Sequence, residues 1–229
     1  MLSLTPEEST AILLSLKVGS VATLGSLPFG VLIAWLLARK TFPGKALLDA
    51  LVHLPLIIPP VVTGYLLLLL FGRRGPLGSL LAEIGIVFAF RWTGAALACA
   101  VMGFPLLVRA IRLSMEAVDP KLEAAGRTLG AHPVLVFLTV TLPLSLPGIL
   151  AGVVLSFARA FGEFGATVTF VSNIPGETQT LPTAIYTFTQ VPGGDLQALR
   201  LTLISIAIAA VAIVLSELLA RRSARRVLG

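Results

Sequence analysis

The chain has 229 residues, 56% of them hydrophobic and 12% charged, with a mean hydropathy of +0.98. Soluble domains carry about 25% charged residues, so a water-soluble globule is excluded and the bilayer is the expected solvent. The net charge of +6 would suit nucleic acid in a soluble protein, but in a membrane chain it is expected to mark cytoplasmic loops instead.

Near the start, Thr5-Pro6-Glu7-Glu8 reads as a capping box with proline at the first helical position. The acidic flank argues against a cleaved signal peptide. Five stretches then reach the roughly 20 apolar residues of a spanning helix: 10–37, 47–71, 93–111, 146–171 and 201–220. The expected fold is all-α: an integral membrane bundle of five spans in a single domain over 1–229, without internal repeats. Pro28 and Pro105 are expected to be simple kinks. In the second span, Pro55, Pro59 and Pro60 remove backbone donors and are expected to break the helix. Such a break serves packing or lines a pathway, and Thr63, Gly64 and Tyr65 add small and polar groups to the second possibility.

Charge sets the orientation. Arg39, Lys40 and Lys45, then Arg109, Arg112, Lys121 and Arg127, then Arg221, Arg222, Arg225 and Arg226 hold eleven of the 17 basic residues. They put the N-terminus outside and the C-terminus in the cytoplasm, against Lys17, Arg73, Arg74, Arg91 and Arg200 on the other side. Arg73, Arg74 and Arg91 are expected in a solvated outer loop, with contact to a partner protein or an anion as the alternative. A further outer stretch, 172–197, holds an apolar segment, 181–191, too short to span and suited to a re-entrant or interfacial helix.

The inner loop, about 113–143, carries the strongest local signal. Asp119-Pro120 supplies an N-cap and a first-turn proline, and Gly130 a C-terminal stop. A short helix over 121–129 follows, too small to fold alone, whose small residues let another protein surface come close. In the fourth span Arg159 and Glu163 lie four residues apart, on one helix face. Ionised groups at that depth are expensive, so the pair locks the bundle, forms part of a gate or pathway lining, or lies nearer the outer interface. Gly148-x-x-x-Gly152 suits close helix contact, inside the chain or at a dimer seam. Cys99 stands alone, so no disulfide framework exists. Cys99, Met102 and Met115 read as packing residues, and His53 and His132 are expected not to bind metal. No phosphate-binding glycine loop is present; Gly44-Lys45 is followed by Ala46.

These residues resemble the importer-type permeases of ABC transporters, whose cytoplasmic loop reads Glu-Ala-Ala…Gly…Ile-x-Leu-Pro. Here Glu123-Ala124-Ala125-Gly126 leads to Gly130 and, nine residues later, to Val140-Thr141-Leu142-Pro143. Glu123 lies seven residues before Gly130 rather than six, a shift similar to molybdate permeases, with Gly126 in place of the second alanine. The likeness extends to Ala34–Lys40 with Phe42-Pro43-Gly44-Lys45, to His53-Leu54-Pro55-Leu56, and to Pro59-Pro60-Val61-Val62. It continues through Gly72-Arg73-Arg74-Gly75-Pro76-Leu77-Gly78, Gly162-Glu163-Phe164-Gly165-Ala166-Thr167 and Pro175–Thr180. Sulfate permeases share the loop and the Gly-Glu-Phe-Gly segment but usually have a longer chain, so the short length points to molybdate, with tungstate as a close analogue.

The resemblance implies a homodimer that imports the oxyanion, with two cytoplasmic ATPase subunits and an extracytoplasmic binding protein. ATP and Mg²⁺ would sit on the ATPase, with no cofactor, catalytic residue or metal on this chain. It assigns ATPase coupling to Leu122, Glu123, Ala124, Ala125, Gly126, Gly130, Leu142 and Pro143. The candidate pathway is Pro59, Pro60, Thr63, Tyr65, Arg159, Glu163 and Thr167. A secondary transporter or channel would need no such loop and would typically show repeat symmetry or a chain of intramembrane ionisable groups. An intramembrane enzyme would need a nucleophile–base pair or a ligand set inside the spans.

Overall fold

A computed structural model describes residues 4–228; the side chains of Arg221, Arg222, Arg225 and Arg226, expected to mark the cytoplasmic tail, lie outside what is described. Helix α1 (Pro6–Arg39) starts as its sequence dictates. The Thr5 hydroxyl accepts from the Glu8 N–H at 3.2 Å, and Glu8 Oε2 accepts from the Thr5 N–H at 2.7 Å. Pro28 stays inside this continuous helix. After the Pro43-Gly44 turn come α2 (Lys45–Ile57) and α3 (Pro60–Phe71), then α4 (Pro76–Glu83), a short helix in the loop that follows. Helix α5 (Trp92–Ala117) follows, with Pro105 inside it.

The stretch that follows α5 is helical almost throughout. Helix α6 (Pro120–Thr128) is followed by α7 (Pro133–Val136), a π-helical turn (Phe137–Thr141) and α8 (Leu142–Leu144). Asp119 caps α6, its carboxylate accepting from the Lys121 N–H at 2.9 Å, and Gly130 closes it at φ +84°. Then come α9 (Leu146–Phe161), α10 (Gly165–Val171), α11 (Leu181–Thr189) and α12 (Asp195–Leu228). No strand occurs among the described residues.

Three helices, α1, α5 and the Asp195–Leu215 part of α12, are long and apolar enough to cross a membrane. Two bent pairs raise that number to as many as five: α2 with α3 at 115°, and Pro133–Leu144 with α9 at 68°. The stretch 146–171, expected as one helix, is therefore interrupted at 162–164. The break follows from Gly162 and Gly165, which leave the hydropathy of the run untouched while weakening the helix.

Helix α5 is the axis of the bundle, packed between α1 and α9. Its small residues Ala95, Ala98 and Cys99 join Val18, Ala22, Ala166 and Phe170 in one apolar core, and Leu107, Val108 and Ile111 join Ala34, Leu37 and Ile149 in another. Met102 and Met115 are buried, as packing residues should be. Gly148 and Gly152 face α5: a Cβ on Gly148 would collide with Ser114, and one on Gly152 would lie 3.0 Å from the Leu107 carbonyl. This small-residue pattern thus serves contact within the chain. Helix α11, too short to span, packs on α1 and α12, and its first free N–H, from Leu181, donates to the Ser15 hydroxyl at 2.6 Å. The outer faces carry uncovered Leu, Ile and Val, among them Leu24 and Leu32 on α1 and Leu203, Ile206 and Val211 on α12. That much apolar surface suits lipid or another subunit, not water.

Candidate functional sites: a polar clasp and two touching helix breaks

Helix α6 contributes no fully buried residue, so packing alone holds it weakly. It is held by Glu123. The Arg39 Nε, from the last turn of α1, donates to Glu123 Oε1 at 2.9 Å, and the Thr141 hydroxyl donates to the same oxygen at 2.7 Å. Arg39 Nη2 also donates to the Val118 carbonyl at 3.0 Å. Glu123 therefore points into the bundle. Gly126 faces inward too, where a Cβ would lie 3.2 Å from the buried Val136 side chain, a tight contact that an alanine would have to press against. Leu122, Ala124, Ala125 and Gly130 are exposed, Leu142 is half-buried and Pro143 exposed. Leu129 is 87% exposed, and with Leu122, Val134, Leu135 and Leu138 it leaves an apolar edge uncovered on the loop.

Beside this clasp, α1 touches the π-helical turn. Trp35 meets Phe137 edge to face, ring centroids 5.9 Å apart, and the Lys40 ammonium lies 5.2 Å from the Trp35 centroid. Sequence reasoning singled out Glu123 but not Arg39 or Thr141. An arginine ending a helix in a basic loop carries no local sign of a partner 84 residues away.

The second region joins the two breaks. Gly165 abuts Pro60, where a Cβ would lie 2.9 Å from the proline ring, and Gly64 abuts α10, where a Cβ would lie 2.5 Å from the Ala166 carbonyl. The Pro59–Tyr65 and Arg159–Thr167 segments thus form one region. Pro59 and Tyr65 are exposed, Pro60 is half-buried, and Thr63 and Thr167 are buried. Arg159 Nη1 pairs with Glu163 Oε2 at 2.5 Å; the Glu163 side chain is 1% exposed and the Arg159 side chain 27%. Because α9 ends at Phe161, the pair spans the helix end rather than one continuous face. Glu163 Oε1 accepts from the Ala166 N–H at 2.7 Å, and the Thr167 hydroxyl donates to the Phe164 carbonyl at 2.8 Å. One carboxylate therefore neutralises a guanidinium and starts the next helix.

Other candidates separate from these regions. Arg73 and Arg74 are exposed in the turn before α4 and line a recess of about 380 Å³, while exposed Arg91 precedes α5. His53 has an acidic neighbour one turn earlier: Asp49, at 3.2 Å, which also binds Arg112 at 3.1 Å. Among the described residues no group of three or more His, Cys, Asp or Glu is placed to hold a metal. His132 instead caps α7. A larger groove, about 770 Å³ between α1, α2 and α5, is lined by Phe29, Leu51, Pro55, Trp92 and Phe104. It offers a dianion almost no donor in return for its hydration.

A family described as "Binding-protein-dependent transport system inner membrane component" matches residues 26–228. The chain belongs to this family. Among its relatives, the molybdenum transport system permease protein ModB of Escherichia coli strain K12 is 63% identical over 97% of this chain and 98% of its own length. ModB of Haemophilus influenzae is 56% identical over 96% of each. The sulfate transport system permease protein CysT of Salmonella typhimurium is 39% identical over 79% of this chain and 65% of its own. Two solved structures share the fold. A bacterial ABC transporter involved in alginate import has a TM-score of 0.72 at 18% identity, covering 97% of this chain and 80% of that one. The inward-facing MetNI methionine ABC transporter has a TM-score of 0.68 at 14% identity, covering 96% and 99%. This inner membrane component is thus a multi-pass helical protein with the ABC importer permease fold.

Proposed function

We propose that the chain is the permease subunit of an ATP-driven molybdate importer. Two copies work with two cytoplasmic ABC ATPase subunits, which hold the ATP and Mg²⁺, and with an extracytoplasmic oxyanion-binding protein. The N-terminus lies outside and the C-terminus in the cytoplasm. One observation carries the reading: the loop that matches the importer motif is a helix held by polar contacts, with Leu122, Leu129, Val134, Leu135 and Leu138 uncovered. At the cytoplasmic end of a membrane bundle such an edge fits a soluble motor subunit. The names of the 63% and 56% identical relatives support molybdate as the cargo.

The mechanism is alternating access, a two-state equilibrium biased by whichever partner binds one state better. The ATPase acts at α6. The dianion passes between the two copies, past the touching breaks, where Pro59, Pro60, Thr63, Tyr65, Arg159, Glu163 and Thr167 gather. Conduction requires release as well as entry. Arg159 meets that need because Glu163 already engages it, so no strongly cationic trap stands in the path. Selection then rests mainly with the binding protein.

The test is uptake of labelled molybdate by the reconstituted complex, competed by tungstate and by sulfate. Competition by tungstate but not by equimolar sulfate is expected. Full competition by equimolar sulfate would replace molybdate with sulfate as the cargo, the second reading that the identity to sulfate permeases favours. Leu129→Asp tests the docking edge: ATPase co-purification should be lost, and its retention sinks the assignment of that edge.

A further inference from the structure

Arg39 differs from its basic neighbours in what holds it. Lys40 reaches back to Trp35, whereas the Arg39 guanidinium folds under α6. It donates to Glu123 Oε1 and to the Val118 carbonyl, an acceptor at the end of α5 with no helical partner of its own. The side chains of Arg39 and Glu123 are only 15% and 12% exposed. Thr141, 1% exposed, completes the joint from the π-helical turn that leads into α9. One guanidinium and one carboxylate thus connect the ends of α1 and α5, the docking helix, and the entry to α9. Exposed ion pairs contribute little, but this one is mostly buried, and α6 has no buried apolar side chain to replace it. π-helical turns are frequent at functional hinges, and here the turn is gripped twice by α1, through Trp35–Phe137 and through Arg39–Glu123–Thr141.

We propose that Arg39 is the positioning residue that passes displacement of α6 to α1 and, through Glu123 and Thr141, to α9. The proposal rests on the reading of α6 as the ATPase docking helix. With Arg39 in place, a shift of α6 must carry the end of α1 and the π-helical turn with it. Without it, α6 follows the ATPase while the spanning helices stay behind. Hydrolysis then proceeds with little import. Lysine keeps the charge but cannot bind Glu123 and Val118 with a rigid fork.

The experiment uses the full complex, with ATPase subunits and binding protein, in proteoliposomes, and reads co-purification, ATP hydrolysis and labelled molybdate import. For Arg39→Ala the ATPase is expected to co-purify, while import per ATP falls about tenfold, within the usual range of coupling between sites. Arg39→Lys and Thr141→Val should fall between this variant and the natural protein, and the paired exchange Arg39→Glu with Glu123→Arg should recover part of the loss. An unchanged import-to-hydrolysis ratio in Arg39→Ala overturns the proposal, as does a parallel fall of both activities or loss of the ATPase from the complex. Retention of the ATPase by Leu129→Asp would instead mark the docking reading as the part that failed.

Discussion

The two breaks in the spanning helices touch each other yet are built by opposite means. The one between α2 and α3 is written into the backbone: Pro59 and Pro60 supply no N–H, and Pro60 takes the first helical position of α3, where none is needed. The one between α9 and α10 is written into side chains. Gly162 and Gly165 only permit it, and Glu163 holds it, with one oxygen on Arg159 and the other on the Ala166 N–H. A proline break needs no side-chain partner to hold it. A carboxylate-held break depends on its partner, so the second is the one that a change of charge nearby would perturb.

Three substitutions would break or sharpen this contrast. The largest effect is expected for Arg159→Ala, which strands the buried Glu163 carboxylate. Removing one partner of a buried pair costs about 3–5 kcal/mol, and the partial exposure of Arg159 puts this case near the lower end. Denaturation of the purified protein should show the loss, import should fall sharply, and Arg159→Ala with Glu163→Ala together should be less destabilising than the sum of the singles. A strictly additive pair would mean that the break is not held by this contact. Next comes the seam between the breaks. Gly64→Ala drives a methyl group into the Ala166 backbone, which cannot swing aside as a side chain would; overpacking of this kind costs about 1–3 kcal/mol. A melting temperature equal to that of the natural protein would show that α3 and α10 pack loosely. The smallest change is expected for Pro60→Ala, below about 1 kcal/mol, because Pro59 still caps α3 and alanine suits a first turn. A loss as large as that of Arg159→Ala would erase the distinction between the two breaks.

What the sequence made legible follows the range of the interactions. Local signals read through directly: the Thr5–Glu8 capping box, the Asp119-Pro120 start and Gly130 stop of α6, and the proline break of the second span, each decided within a few residues. Hydropathy picked out apolar runs that form three long helices and two bent pairs, but not the interruption at 162–164, since two glycines and a glutamate barely alter such a run. Nor did it reveal α4 or the π-helical turn. The inward orientation of Glu123 was hidden for another reason: its partners Arg39 and Thr141 lie 84 and 18 residues away. The His53–Asp49 contact, by contrast, sits at helical spacing and was open to a closer reading of the periodicity. Gly126 shows the same division, its small size written in the sequence and its close approach to Val136 visible only in the fold.

Cys99 carries a practical consequence. It is the single cysteine of the chain, 1% exposed, with its thiol donating to the Ala160 carbonyl at 3.4 Å where α5 packs on α9. A thiol so enclosed is inert toward aqueous reagents. The natural sequence is therefore ready for site-directed spectroscopy: a reporter attached to a cysteine introduced at Leu129 or Tyr65 would register motion of the exposed edge beside α6 or of the break region against a silent background, with no need to remove the native residue.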